Sequence, residues 1–132
     1  KVAGRTGIAN CEMMLANKNR PFHERLGFAL AGLKACFCTE RSFRTHCLAA
    51  VVALALLLWC RPDAIWWGLI ALVTALVLAL ELLNSALERL IDHLHPDRHP
   101  EIKLVKDMAA GAVLVLSLAA VALAAAMLSL YL

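Results

Sequence analysis

From Glu81 onward the chain reads Glu-Leu-Leu-Asn-Ser-Ala-Leu-Glu-Arg-Leu-Ile-Asp. Glu81, Asn84, Ser85, Glu88 and Asp92 are therefore spaced i, i+3, i+4, i+7 and i+11. On a helix of 3.6 residues per turn they share one stripe about three turns long. Leu82, Leu83, Leu87, Leu90 and Ile91 cover the rest of the surface. Three carboxylates and an amide on one face suit a hard divalent cation such as Mg²⁺, which prefers oxygen ligands. The same spacing also describes a solvated helix end carrying an i, i+3 or i+4 polar ladder. What favours the cation is the surroundings. Acids that invade apolar membrane sequence are expensive and usually face a bundle interior or a wet cavity.

Two further clusters would meet that stripe at the same membrane depth. Glu40, Arg41, Arg44 and His46 precede the first apolar block, and Lys106 and Asp107 immediately precede the third. Asp107 would then lie near a helix N-terminus, where an acid is favoured. A membrane-edge pocket with acids for a metal and Arg and Lys for anions is what phosphoryl transfer requires, since there the protein supplies mainly positioning and charge neutralisation. His93, His95 and His99 could bind a transition metal, but they fall beside Pro96 and Pro100 and read as solvated loop residues. Gly27 and Gly32 stand at the spacing of a phosphate loop. Leu33 occupies the place of the required lysine and no strand precedes the pair, so a phosphate loop is excluded.

The elements that position these residues follow from composition. Of 132 residues, 62% are apolar and only 17% charged. Soluble domains run nearer half apolar and a quarter charged, and a soluble protein this small could not hide the excess. Low charge with high hydrophobicity also excludes disorder. The class is a small all-α integral membrane protein of one domain.

Charge is absent from Cys47–Cys60, Ala64–Leu80 and Met108–Leu132. A span needs about 20 apolar residues at 1.5 Å each to cross roughly 30 Å of hydrocarbon. Three transmembrane helices are expected, over about 43–60, 64–91 and 107–132, with Arg44 snorkelling from the first to the headgroups. Twelve of the thirteen basic residues lie before the first span or between the second and third; Arg61 alone is in the first link. That asymmetry places the N-terminus in the cytoplasm and the C-terminus outside. Trp59, Trp66, Trp67 and Tyr131 all fall at the outer interface, as an aromatic belt should. The net charge of +3 therefore addresses anionic lipid headgroups and topology, not nucleic acid.

Residues 1–20 show no useful periodicity and are expected to be flexible, with no cleavable signal. A start at Met13 or Met14 would give a chain of about 119–120 residues, by subtraction from 132. The five cysteines, Cys11, Cys36, Cys38, Cys47 and Cys60, are odd in number and form no C-x-x-C pair, so they read as small apolar packing residues. Phe22, Leu26, Leu30, Leu33 and Phe37 recur at helical spacing while His23, Glu24, Arg25 and Lys34 take other faces. With Pro21 suited to a first turn, an amphipathic helix over about 21–38 is expected to lie flat in the interface. Its role is either a depth-setting anchor or a flap over a membrane-edge site.

The run Glu81–Asp92 followed by Lys106-Asp107-Met108-Ala109-Ala110 resembles the signature of the small bacterial membrane diacylglycerol kinases. Gly32-Leu33-Lys34-Ala35 and Glu40-Arg41-Ser42-Phe43-Arg44 fit the same pattern, and the resemblance runs from about Phe22 to Leu132. It implies a homotrimer of three-span chains in the bacterial inner membrane, with sites built between subunits. It implies transfer of the ATP γ-phosphoryl directly to the primary hydroxyl of diacylglycerol, with no phosphoenzyme, giving phosphatidic acid. Glu81 would then be the general base and Asn84 would position substrate or phosphate. Glu40 and Glu88 would hold Mg²⁺, Lys106 would bind phosphates, and Asp107, Asp92 and Arg44 would support the nucleotide.

Some positions depart from the family pattern. His46 stands where many members carry an acid, Ala110 replaces a common serine and Leu104 a frequent arginine. The family's N-terminal arginine has two candidate matches, Arg20 and Arg25. A polyprenol kinase acting on undecaprenol shares the motif. From another class, a small oligomeric transporter would also be short and helical, but would need an acid near mid-span, and the first span here has none. A purely structural scaffold would not need the acidic stripe.

Overall fold

The computed structural model describes residues 21–95 and 99–131. The expectations for residues 1–20, including Cys11 and Arg20, lie outside the described residues. The described chain is helical: α1 Phe22–Thr39, α2 Arg41–Cys60, α3 Ala64–Leu94 and α4 Pro100–Tyr131. The chain divides into two compact units, residues 1–35 and 36–132.

Helix α1 forms where the periodic apolar residues predicted it, and Gly27 and Gly32 lie inside it rather than in a loop. Its stripe residues Phe22, Leu26, Leu30 and Leu33 are all exposed among the described residues. One residue, Glu40, separates α1 from α2. Its backbone is extended, with φ −98° and ψ 119°, and the amide of Arg44 still reaches back to its carbonyl.

Helices α2, α3 and α4 are each long and apolar enough to cross a membrane. All three run past the expected boundaries at their charged ends. Helix α2 begins at Arg41 rather than Phe43, and α3 continues to Leu94 rather than 91. Helix α4 begins at Pro100, seven residues before the expected 107. The reason is local. Proline at the first helical position carries no amide that needs a partner, and Glu101 in the first turn suits the positive helix end. Hydropathy marks the part of a helix that lipid covers, whereas caps decide where the helix begins. At about 46 Å for its 31 residues, α3 exceeds the hydrocarbon thickness, so several turns carry its charged end beyond it.

At the other end the links are tight. Arg61 closes α2 in the left-handed region, φ 47° and ψ 52°, and its amide donates to the Leu57 carbonyl at 2.9 Å. Pro62 follows and cannot continue a helix. Helix α3 packs most extensively on α4 and less on α2, while α2 and α4 meet only slightly. The core near this link centres on Leu57, Ile70 and Met127, with Trp66 and Trp67 against it. The Tyr131 hydroxyl donates to Asp63 Oδ2 at 2.9 Å and accepts from the Asp63 amide at 3.3 Å, tying the end of α4 to the α2–α3 turn. Trp66, Trp67 and Tyr131 therefore gather at one end as expected, and Trp59, 81% exposed, points outward from α2.

The cysteines answer the packing expectation unevenly. Cys36 is buried, Cys47 and Cys60 are half-buried, and all are free thiols. Cys38 is exposed, so the packing expectation does not hold at that position among the described residues.

Candidate active site

The stripe on α3 is buried in a gradient. Glu81 and Ser85 are 3% and 5% exposed, Asn84 and Glu88 are half-buried, and Asp92 is exposed. The gradient follows from position: Glu81 lies opposite the start of α2, and Asp92 lies three turns further along.

Each level of the stripe makes a different contact. The Ser42 hydroxyl of α2 donates to Glu81 Oε1. One turn along, Asn84 Nδ2 donates to Glu88 Oε1 at 3.3 Å. The other amide atom, Asn84 Oδ1, is buried with no partner among the described residues. Turning the amide over would set its oxygen against the Glu88 carboxylate, so the contact with Glu88 fixes which atom is left over. Lys106 of α4 forms an ion pair with Asp92 Oδ1 of α3.

Glu40 lies at the break between α1 and α2. Arg89 of α3 donates to its Oε1 from Nη2 at 2.7 Å and from Nε at 3.2 Å. The same guanidinium donates to the Thr39 hydroxyl, which itself donates to Glu40 Oε1 at 3.3 Å. Both members of the Glu40–Arg89 pair are accessible, with side chains 27% and 51% exposed. Such pairs contribute little stability, so its consequence is the orientation of Glu40.

The structure thus brings Lys106 to Asp92, and Asn84 to Glu88. It does not join Glu40 to Glu88: each carboxylate has its own partner, and among the described residues no three metal-ligating side chains converge. Arg44 and Asp107 are exposed, with no side-chain hydrogen bond or ion pair among the described residues. His93, His95 and His99 are exposed, and His99 Nδ1 accepts the Glu101 amide at 3.2 Å, a helix-start contact.

The donor set still suits a hard divalent cation. Glu40, Glu88 and the unpartnered Asn84 carbonyl are all oxygen donors. Mg²⁺ keeps several waters and takes only one or two carboxylates together with substrate phosphates, so a closed protein cage is not needed.

Two residues at the site carry no role in the sequence reading, Ser42 and Arg89. Ser42 was visible as part of the Glu40–Arg44 stretch, and Arg89 as the basic neighbour of Glu88 inside the stripe.

Comparison with known proteins gives the arrangement a family. The sequence pattern of the prokaryotic diacylglycerol kinase family matches residues 27–128. A diacylglycerol kinase of Synechocystis is 40% identical over 95 residues, covering 71% of this chain and 54% of the relative. The chain therefore spans about half the length of that relative. A diacylglycerol kinase of Escherichia coli is 34% identical over 95 residues, covering 72% of this chain and 78% of its own length. An undecaprenol kinase of Bacillus subtilis is 40% identical over 77 residues, covering 58% of this chain and 63% of its own. The matched stretch contains the acidic stripe, Glu40 and the Lys106-Asp107 pair, together with all of α2 and α3 and all of α4 but its last three residues. On that extent of agreement, the chain is an all-α, multi-pass bacterial membrane protein that belongs to the prokaryotic diacylglycerol kinase family.

Proposed function

We propose that this chain transfers the γ-phosphoryl group of ATP to the primary hydroxyl of diacylglycerol, at the cytoplasmic edge of the bacterial inner membrane. The observation that carries the reading is Glu81, a carboxylate 3% exposed within an apolar helix, with no cation bound to it among the described residues. Its contact is a neutral hydroxyl, so no guanidinium or ammonium occupies the carboxylate among the described residues. Its depth on α3 suits an acceptor hydroxyl that arrives from the lipid side.

Glu81 takes the proton of the lipid hydroxyl as the lipid oxygen bonds to the γ-phosphorus. The bond from that phosphorus to the bridging oxygen breaks, and ADP leaves with its electron pair. Direct in-line transfer of this kind needs no phosphoenzyme. Asn84 positions substrate or phosphate. Lys106, held by Asp92, presents a cation to the phosphates, and Arg44 and Asp107 support the nucleotide. Glu40 and Glu88 would hold Mg²⁺, which when bound neutralises phosphate charge.

The oligomer in this reading is a homotrimer with sites shared between subunits. The N-terminus is cytoplasmic and the C-terminus external, as the placement of twelve of thirteen basic residues supports. A second reading has support of its own: the resemblance to an undecaprenol kinase is, over its shorter stretch, as close as that to the Synechocystis diacylglycerol kinase.

The test is ATP consumption by the purified chain in lipid vesicles, with diacylglycerol and undecaprenol supplied separately. Phosphorylation of diacylglycerol is expected, and Glu81→Gln should abolish it while leaving the helical content intact. Transfer to undecaprenol alone selects the second reading. Transfer to neither lipid overturns the kinase reading, and wild-type turnover by Glu81→Gln overturns the base assignment.

A further inference from the structure

Glu81 has a single hydrogen-bond partner among the described residues, the Ser42 hydroxyl. A buried carboxylate in apolar surroundings needs donors for its lone pairs. Arg89 within the stripe and Lys106 on α4 are already paired elsewhere, with Glu40 and Asp92 respectively. What reaches Glu81 is a neutral hydroxyl from the first turn of α2. A serine in that position has a local alternative, since its hydroxyl can bond neighbouring backbone groups. Here it instead bridges 39 residues of sequence to α3.

We propose that Ser42 is a positioning residue for phosphoryl transfer, acting through Glu81. This inference rests on the reading of Glu81 as the proton acceptor. The glutamate side chain turns about three torsions, and one fixed oxygen is enough to select its carboxylate plane. With Ser42 donating to Oε1, Oε2 is directed to the acceptor hydroxyl. A guanidinium in the same place would fix the plane equally well, but would hold the group as a carboxylate and weaken it as a base. A hydroxyl orients the group without adding a charge. Placing the proton acceptor within hydrogen-bond reach of the reacting hydroxyl is what makes general-base catalysis effective, and a small misplacement costs rate rather than binding.

The test uses the full chain in diacylglycerol-containing vesicles with MgATP, comparing wild type, Ser42→Ala and Ser42→Thr. Ser42→Ala should lower kcat by about tenfold, the loss expected for one hydrogen bond to a charged group. The KM values for ATP and diacylglycerol should stay within about twofold of wild type, because nothing that binds either substrate is removed. Ser42→Thr, which keeps the hydroxyl, should recover most of the rate. The contact has a readout independent of activity: Ser42→Ala should lower the thermal midpoint in the wild-type background and leave it unchanged in a Glu81→Leu background. A Ser42→Ala enzyme with wild-type kcat overturns the inference while leaving the kinase reading intact. So does a fall in rate that threonine does not recover, or an equal loss of thermal stability in both backgrounds. A wild-type chain inactive on both lipids overturns the kinase reading itself and this inference with it.

Discussion

Burial separates the carboxylates of the candidate site into groups with different physics. Glu81 is 3% exposed and, among the described residues, meets only a hydroxyl, whereas Glu40 and Asp92 have side chains 27% and 67% exposed and each meets a cation. Water screens the exposed pairs, so each contributes at most about 1 kcal/mol. Arg89→Ala should therefore lower stability by less than about 1 kcal/mol, read as a small shift in the thermal midpoint. Glu40→Gln should leave stability similarly unaffected, yet lower kcat on the order of a hundredfold if Glu40 holds the metal. Steady-state kinetics on the two variants decides the matter, and an Arg89→Ala defect as large as that of Glu40→Gln would place Arg89 in the chemistry itself. At this scale the stripe was legible in the sequence, because residues on one helix have their relative positions fixed by its pitch. Ser42 and Arg89 were not, since their partners lie 39 and 49 residues away. Which side chains of α2 and of the α1–α2 break meet α3 depends on how the helices are rotated about their axes, and spacing along one chain carries no information about that.

At the scale of the elements, hydropathy located three spans but misplaced their charged ends. The Lys103–Asp107 stretch is polar enough to look like a connection, yet it lies inside α4, because Pro100 starts the helix and the residues after it include no second proline. Lys106 is therefore held on a rigid helical turn facing Asp92, not on a loop. The opposite end shows local conformation overriding type. Arg61 adopts φ 47°, the one positive value among the described non-glycine residues. The left-handed region costs an L-residue roughly 1–2 kcal/mol relative to glycine, partly offset by glycine's greater freedom in the unfolded chain. Arg61→Gly should raise stability by about 0.5–1 kcal/mol. Arg61→Val, which removes the same charge but adds a branch at Cβ, should lower it by a similar amount or more. Thermal unfolding in detergent or lipid checks the pair, and equal effects of the two substitutions would mean that charge, rather than backbone conformation, governs the turn.

For the whole molecule the question is what covers the unit of residues 36–132. Its core is small, seven apolar residues being buried among the described ones, and one of these, Cys36, lies before the first span. The large apolar side chains left exposed on α2, α3 and α4 suit lipid, whose tails are as apolar as leucine. Lipid cannot serve the polar atoms in the same way. Among the described residues, Asn84 Oδ1 is buried without a partner, and Glu88 has only Asn84. An unsatisfied amide oxygen in apolar surroundings costs about 1–3 kcal/mol, a cost that a neighbouring chain or a bound substrate would relieve. Small residues on α4 give such a neighbour room to approach. A Cβ added at Gly111 meets nothing within 4 Å, and Ala112, Ala119 and Ala122 are exposed. Helices in membranes associate where small side chains allow their backbones to come close. Gly111→Leu is therefore compatible with the single chain, because there is open space for the new side chain, but incompatible with a second helix seated on that face. The variant should keep its helical content and lose the mass of the proposed trimer, measured by native mass spectrometry or light scattering in detergent. If the site is shared between subunits as proposed, its activity should fall with the oligomer. Gly111→Ala, which adds one methyl group, should retain most of both. A Gly111→Leu chain with wild-type mass and activity would remove this face of α4 from the subunit contact, and a monomeric but fully active wild type would show that one chain builds the site alone.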